Sequence, residues 1–554
     1  MAQITRTCSL AGLAAMLVAA PALARVAPPK SSDLSVFVGA RAAELAGDAG
    51  RSSLLYASLA QADPDSTIVA NRAIAQAIAA GNMELALGLL RRGPATSAID
   101  STLLLTADHL VRGRDKEALA VLDRDSGEGS LGFLRPFVAA WIAAERRSAS
   151  ALDHLGQVPR GSGIAPYLTQ NHALILLRLK RIEEAEPVVR AALGSAAGRE
   201  SWLRTAFADA YLRSGDRARA LRLLGGRDIV LADAREQIER GQPTGAGIAT
   251  AAEALSGLLV SLGIDLARGE SRELPLAMAQ IARHADPNNA QAAILIGLLL
   301  GESGRTDEAL AAFRSIPRDA VFASSAQDAE IRALLRAERK AEALARAQLF
   351  ASGNDVSADD FSRLGDVYSE LARHAEAAAA FRRAVTLVEA GAPGGEPWAL
   401  HLLEGGALEQ ADRWPEAKAA LQRARHLAPD NPLVLNYLGY AKLERGEELD
   451  QAEAMIARAS QLAPRDPSIT DSLGWAQFKR GRVDEAIATL QRAAAADPGQ
   501  AEIHEHLGDA LYTAGRRFEA RFAWAAALVT ADDDVRSRIE SKVRNGLAPA
   551  TAAP

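Results

Sequence analysis

The chain of 554 residues is poor in several things that proteins of other classes need. It has one cysteine, Cys8. That residue falls inside the segment expected to be removed on export, so disulfides, thiol catalysis and cysteine metal sites are excluded from the mature chain. Aromatic residues make up only 5%; the apolar content is mostly Ala and Leu, which favours close-packed helices over sheets. The formal net charge is -6, so the basic face of a general nucleic-acid binder is not expected. Beyond the first residues no run of about 18 apolar residues occurs, and no internal membrane span is expected. Nine histidines are present, but they stand singly apart from His504 and His506. Those two are separated by one residue on an expected helix, point to different sides, and do not form H-E-x-x-H. G-x-S-x-G and G-x-x-x-x-G-K are missing. Gly245-Ala246-Gly247 lacks the third glycine of a dinucleotide loop and follows no strand. The expectation is therefore no catalytic residue, no metal, no cofactor and no enzyme activity.

The N-terminus carries a leader. Arg6 supplies a positive start, Leu10 to Ala20 is an apolar stretch of the length of a signal h-region, and Pro21 ends it. Ala22-Leu23-Ala24 is an A-x-A cleavage site. Residues 1–24 are expected to be a signal peptide, with the mature chain starting at Arg25 and lying in the periplasm. Cys8 precedes the apolar stretch and is not placed for lipidation.

What the chain does have is a period. Leu435 to Gly446, Thr470 to Gly481 and His504 to Gly515 each carry Leu-Gly and then a second Gly seven residues on. The first glycines, Gly439, Gly474 and Gly508, are 35 and 34 residues apart. Ala452, Ala486 and Ala520 follow in the second half of each unit, then Ala459, Ala493 and Ala527. Gly405, Ala417 and Ala424 set the unit before. Small residues at these places let two helices approach closely. Asp484-Glu485 puts acids at a helix start, where the dipole favours them. The pairs Asn431-Pro432, Asp466-Pro467 and Asp497-Pro498 end one hairpin and open the next.

These residues resemble the tetratricopeptide repeat family. The frame continues upstream in weaker form through Gly365, Gly297 and Gly263, then Ala220, Ala185, Ala151, Ala118 and Ala86. The fold implied is all-α, a superhelical solenoid of about fourteen helical hairpins. The register breaks near residue 241. The expected organisation is an N-terminal array over 25–240, a linker over 241–255 and a C-terminal array over 256–532. The segment 533–554 is read as a capping helix, with Val535, Ile539 and Val543 on one stripe, followed by a disordered tail.

The resemblance implies a scaffold or adaptor that holds proteins or peptides in a concave groove lined by the first helix of each hairpin. Carried over position by position, the groove residues are Asn436, Tyr440, Asp471, Trp475, Lys479, Glu505, Asp509 and Tyr512. Tyr440 and Trp475 would offer stacking area, and the carboxylates and Asn436 would meet backbone N–H groups or basic side chains. The alternative is that the aromatic rings pack between hairpins. The lysine and asparagine pairs that clamp a C-terminal carboxylate in chaperone-binding members are absent, with Asn436 and Tyr440 in their place. Two functions stay open: an adaptor for an envelope protease, or a component of exopolysaccharide or envelope assembly.

Overall fold

Each hairpin is built by the same local rules. Asp466 caps the helix over 467–479 by accepting the N–H of Ile469 at 3.0 Å, and Pro467 occupies the first turn, where its missing N–H costs nothing. Gly481, at φ +76, turns the chain, and the returning helix over 483–496 opens on Asp484 and Glu485. A Cβ on Gly474 would lie 2.7 Å from Leu490 Cγ, so only glycine lets these two helices meet. The same approach recurs at Gly405 against Leu421 and at Gly439 against Ile456.

The computed structural model of the protein describes residues 31–92, 98–124, 132–158, 164–196, 199–353, 356–548 and 553. The expected signal peptide lies outside them. Among the described residues there are thirty α-helices and no strand. The chain divides into two compact units, residues 1–101 and 102–554.

The first unit contains α1 (Ser31–Leu45), α2 (Ala49–Ala62), α3 (Thr67–Ala79) and α4 (Met83–Arg92). Its core is Ala40, Tyr56, Ala57 and Ala73, and the Tyr56 hydroxyl donates to Glu44 at 2.7 Å.

The division falls within α5 (Ile99–Val111). The second unit continues with α6 (Asp115–Arg124), α7 (Leu134–Glu145), α8 (Ser150–Leu155), α9 (Ala165–Arg178), α10 (Ile182–Gly194), α11 (Glu200–Ser214) and α12 (Arg217–Leu223). A lone helix, α13 (Ile229–Glu239), interrupts the pairs. They resume with α14 (Ala251–Leu266), α15 (Glu273–Ala285), α16 (Ala290–Glu302), α17 (Thr306–Arg314), α18 (Ala323–Arg336), α19 (Lys340–Phe350), α20 (Ala358–Glu370) and α21 (His374–Glu389). The last pairs are α22 (Pro397–Gln410) with α23 (Trp414–Leu427), α24 (Pro432–Glu444) with α25 (Leu449–Leu462), α26 (Pro467–Lys479) with α27 (Val483–Ala496), and α28 (Ala501–Thr513) with α29 (Arg517–Thr530). A single helix, α30 (Asp533–Asn545), follows. Setting α13 and α30 aside, the helices of the described residues follow one another as fourteen successive pairs, the all-α run of helical hairpins expected from the period. The small positions of the frame are its core: Ala86, Ala118, Ala151, Ala185, Ala220, Ala452, Ala486 and Ala520 are all fully buried.

Two expectations are corrected. The segment 241–255 is not the place where the compact units part. Its first half is pinned inside the second unit: buried Asp209 of α11 accepts both the N–H (2.8 Å) and the hydroxyl (3.2 Å) of Thr244 and also holds Arg213. Its second half is the start of α14, closed by a capping box of Thr250 and Glu253. The tail read as disordered also makes defined contacts where it is described. Leu547 packs on the terminal core, and Ala553 is buried; residues 549–552 and 554 lie outside the described residues.

Candidate functional site

The first helices of the last three hairpins, α24, α26 and α28, carry all eight residues expected to line the groove. Asn431 caps α24 through the N–H groups of Leu433 and Val434, as Asp466 caps α26. These caps set α24 and α26 alike, whereas α28 starts after Gln500 with no side-chain cap.

Their surroundings differ. Trp475 is 1% exposed. Its ring stacks on His506 of α28, with centroids 4.1 Å apart and planes at 11°, and on Phe478 at 4.9 Å. Its indole N–H donates to Glu444 at 2.9 Å. Lys479 is exposed and lies over the outer face of the system, 5.1 Å from the Trp475 centroid and 3.4 Å from Glu444. Trp475 is a packing element between hairpins, because the next hairpin supplies an imidazole that covers its face. Of the other expected residues, Asn436, Tyr440 and Tyr512 are half-buried.

Glu505 and Asp509 are covered by α30. Arg538 donates to both Glu505 oxygens at 2.8 and 2.9 Å, and Lys542, itself fully buried, donates to Glu505 at 2.6 Å. Lys542 also reaches both Asp509 oxygens at 2.8 Å. Asp509 takes two more N–H groups, the Trp524 indole and the Ala553 backbone, each at 2.9 Å. Burial alone would raise the Glu505 carboxyl; the hydrogen bonds and charges of Arg538 and Lys542 outweigh it and hold the group below the usual carboxylate range. These acids fasten the end of the stack and are closed to a partner while α30 is in place.

One turn away the same helices present a second acidic group. Asp471 on α26 and Glu502 and His506 on α28 bring one ligand-type atom each to within 4.8 Å of one another. His506 is fully buried, with Nδ1 2.9 and 3.1 Å from the two Asp471 oxygens. Burial disfavours its charged form, but the charge and hydrogen bond of Asp471 prevail and raise its pKa. The Tyr440 hydroxyl donates to Glu502 at 3.4 Å, and burial together with the carboxylates of Glu502, Glu444 and Asp471 pushes this phenol up. Among the described residues no Lys or Arg forms an ion pair with Asp471 or Glu502. Motif reading missed this set because its members come from two hairpins. The Glu502-x-x-x-His506 spacing, which puts both side chains on one helix face, was the available signal. His504 plays no part; its ring is near the Pro498 carbonyl at 3.0 Å.

A further feature lies on the solvent side of the last hairpin. Phe518, Phe522 and Val529 of α29 are 74%, 63% and 79% exposed, and Ala525 between them is exposed too. Their spacing of four, three and four residues makes one stripe. The two phenylalanines meet edge to face at 4.8 Å and 69°. Arg517 and Arg521, both exposed, flank the stripe. Elsewhere, a cleft of about 690 Å³ beside α13 is lined by Asp233, Glu236, Arg240, Arg318 and Asp360. Burial first, then the charges of Glu236, Asp359, Asp228 and Asp360, push Asp233 up to about 7.

Comparison with known proteins agrees with the hairpin frame. Tetratricopeptide repeat models match residues 361–387 and 472–535. The first spans most of α20 and α21, and the second runs from α26 into α30. These two segments are tetratricopeptide repeats, a class whose hairpins stack so that each contacts mainly its neighbours. Among solved structures it is similar to a tetratricopeptide repeat protein from Parabacteroides merdae, at 14% identity and TM-score 0.38, covering 46% of this chain and 99% of that one. It is also similar to the Cut9–Hcn1 hetero-tetramer of the APC/C, at 15% identity and TM-score 0.38, covering 94% of this chain and 97% of the other. YrrB, described as a TPR protein with an unusual peptide-binding site, gives 18% identity and TM-score 0.27 over 35% of this chain and 97% of its own. No curated protein matches the sequence.

Proposed function

We propose that the chain is an exported scaffold that holds a protein partner, and that its contact surface is the outer stripe of α29. The observation that carries this reading is the stripe itself: two phenylalanines and a valine, each more than half exposed, in line on one helix. Exposed apolar side chains at this spacing are what an amphipathic partner helix lays its own apolar face upon. Arg517 and Arg521 on the rim select acidic residues flanking that face. Arg521 is exposed, so its charge faces solvent. The occupant is therefore an amphipathic helix with acidic flanks. Asn436, Tyr440 and Lys479 are the part of the A-helix strip left open for a second, peptide-like contact. The leader pattern over residues 1–24 supports export, and in this reading the scaffold works in the periplasm with envelope proteins as its partners.

The test is capture from periplasmic extract by the wild-type chain and by the double variant Phe518→Ser/Phe522→Ser, with thermal melting as a fold control. A photo-crosslinker placed at position 522 should join the captured protein through a helix bearing acidic residues. Loss of capture with unchanged melting supports the proposal. Equal capture by both forms would remove the stripe from function. A homodimer that dissolves in the double variant would show that the stripe serves a second copy instead. N-terminal sequencing of the native protein should return Arg25, and a result of Met1 would contradict export.

A further inference from the structure

We infer that Asp471, Glu502 and His506 form a site for a divalent cation of the zinc class, which ties α26 to α28. No feature of the scaffold reading requires it. The donor set is one imidazole nitrogen and two carboxylate oxygens, all within 4.8 Å of one another. Imidazole with carboxylates suits zinc and its first-row neighbours, whereas calcium and magnesium prefer oxygen alone. The Asp471 oxygens are 2.9 and 3.1 Å from His506 Nδ1. Two ligand atoms each bound at about 2.0–2.1 Å to one ion lie roughly this far apart, so the ion can replace the proton now shared between them.

Charge points the same way. Glu505 and Asp509 show how this chain neutralises buried acids when it uses its own cations, with Arg538 and Lys542. Asp471 and Glu502 have no such partner among the described residues, and one imidazole is the only basic group against them. A dipositive ion with a neutral His506 balances both carboxylates.

The ring itself is prepared. His506 is 0% exposed, and its Nε2 has no hydrogen-bond partner. Moving the ring proton from Nδ1 to Nε2 therefore forfeits no hydrogen bond at Nε2, and it frees the Nδ1 lone pair for a cation. Stacking on Trp475, whose own N–H is held by Glu444, fixes the plane of the imidazole as an outer shell does in metal sites. Glu502 is exposed and closes the set from the solvent side, which gives an ion its way in. Tyr440, donating to Glu502, positions that third ligand from α24.

The experiment uses the tag-free full chain, stripped with a chelator and titrated with Zn²⁺ by calorimetry, with Co²⁺ absorbance as a second readout of bound nitrogen and oxygen. One equivalent should bind, and the melting temperature should rise. Glu502→Gln, a change at an exposed position, should leave melting of the stripped protein unaltered and weaken zinc binding by about tenfold or more, on the scale seen when metal-site groups are removed. Asp471→Asn should weaken it further, and His504→Ala, a neighbour outside the set, should not change it. Failure of the wild type to bind at millimolar zinc would overturn the assignment, as would a Glu502→Gln variant with wild-type affinity. If Asp471→Asn does not fold, Glu502→Gln decides alone.

Discussion

The two faces of the last hairpin contrast sharply in what the chain itself supplies. On the A-helix face, α28 presents Glu505 and Asp509, and α30 fills that face with Arg538 and Lys542. On the outer face, α29 presents Phe518, Phe522 and Val529, and nothing in the described chain covers them. In this hairpin the acids at groove positions are thus consumed by the fold, while the apolar residues at outer positions are left open. The contrast teaches that a position's place in the repeat does not decide its use. What decides it is whether a later element brings the complementary group.

The contrast can be broken most severely at Lys542. Replacing it by alanine leaves Asp509 and Glu505 buried without their main cation, and should destabilise the C-terminal hairpins by about 3–5 kcal/mol, read by chemical denaturation and by faster hydrogen exchange across α30. Unchanged exchange there would mean that α30 is held by its apolar stripe alone. Trp475→Ala comes next. The ring lies between His506 and Phe478 in a closed contact, so its loss should cost about 3–5 kcal/mol, at or just below the Lys542 effect, and appear first as lowered melting. An unaltered melting curve would return Trp475 to the groove.

Asp233 sharpens the comparison with a third way of handling an uncompensated acid, which is to keep a proton. Its folded pKa of about 7 stands above the usual carboxylate value near 3.9. Between these values the native state binds more protons than the unfolded state, so this group makes stability fall as pH rises from about 4 to about 7. Asp233→Asn should therefore stabilise the protein at pH 8, by roughly 1 kcal/mol once solvent screening is allowed for, with a smaller effect at pH 5. Equal effects at both values would contradict the raised pKa. The smallest change in stability is expected at the outer stripe. Phe518→Ser/Phe522→Ser should stay within about 0.5 kcal/mol of the wild type, because surface positions away from packing contribute little.

Much of this architecture was readable from the small residues. The alanines at 86, 118, 151, 185 and 220 are buried even where the accompanying glycines fade. Those glycines fade for a local reason. Most turns between paired helices use a left-handed residue, supplied by Gly47, Gly81, Gly113, Gly215, Gly304, Gly446, Gly481 and Gly515. Arg147, Lys180, Glu338, Ala372 and Asp412 hold positive φ in five further turns, at a cost that packing of the flanking helices offsets. Pro243, Gly245 and Gly247 have the composition of a linker, but composition carries no record of Asp209, whose carboxylate lies 35 residues earlier and anchors the loop. The site was less readable still. Trp475 shares its periodic position with Tyr440 and Asp509, and only the contact with His506 on the next hairpin shows that its face is closed. In α30 the apolar stripe of Val535, Ile539 and Val543 was visible, whereas the reach of Arg538 and Lys542 to α28 depends on how the helices stack.

The most direct measurement is a paired one, melting temperature and affinity for the captured partner on two variants, Phe518→Ser/Phe522→Ser and Trp475→Ala. The outer-stripe variant should keep its melting temperature and lose affinity; the Trp475 variant should lose melting temperature while its folded fraction keeps affinity. The reverse pattern, with binding lost at a stable Trp475→Ala protein and retained at the altered stripe, would contradict the account.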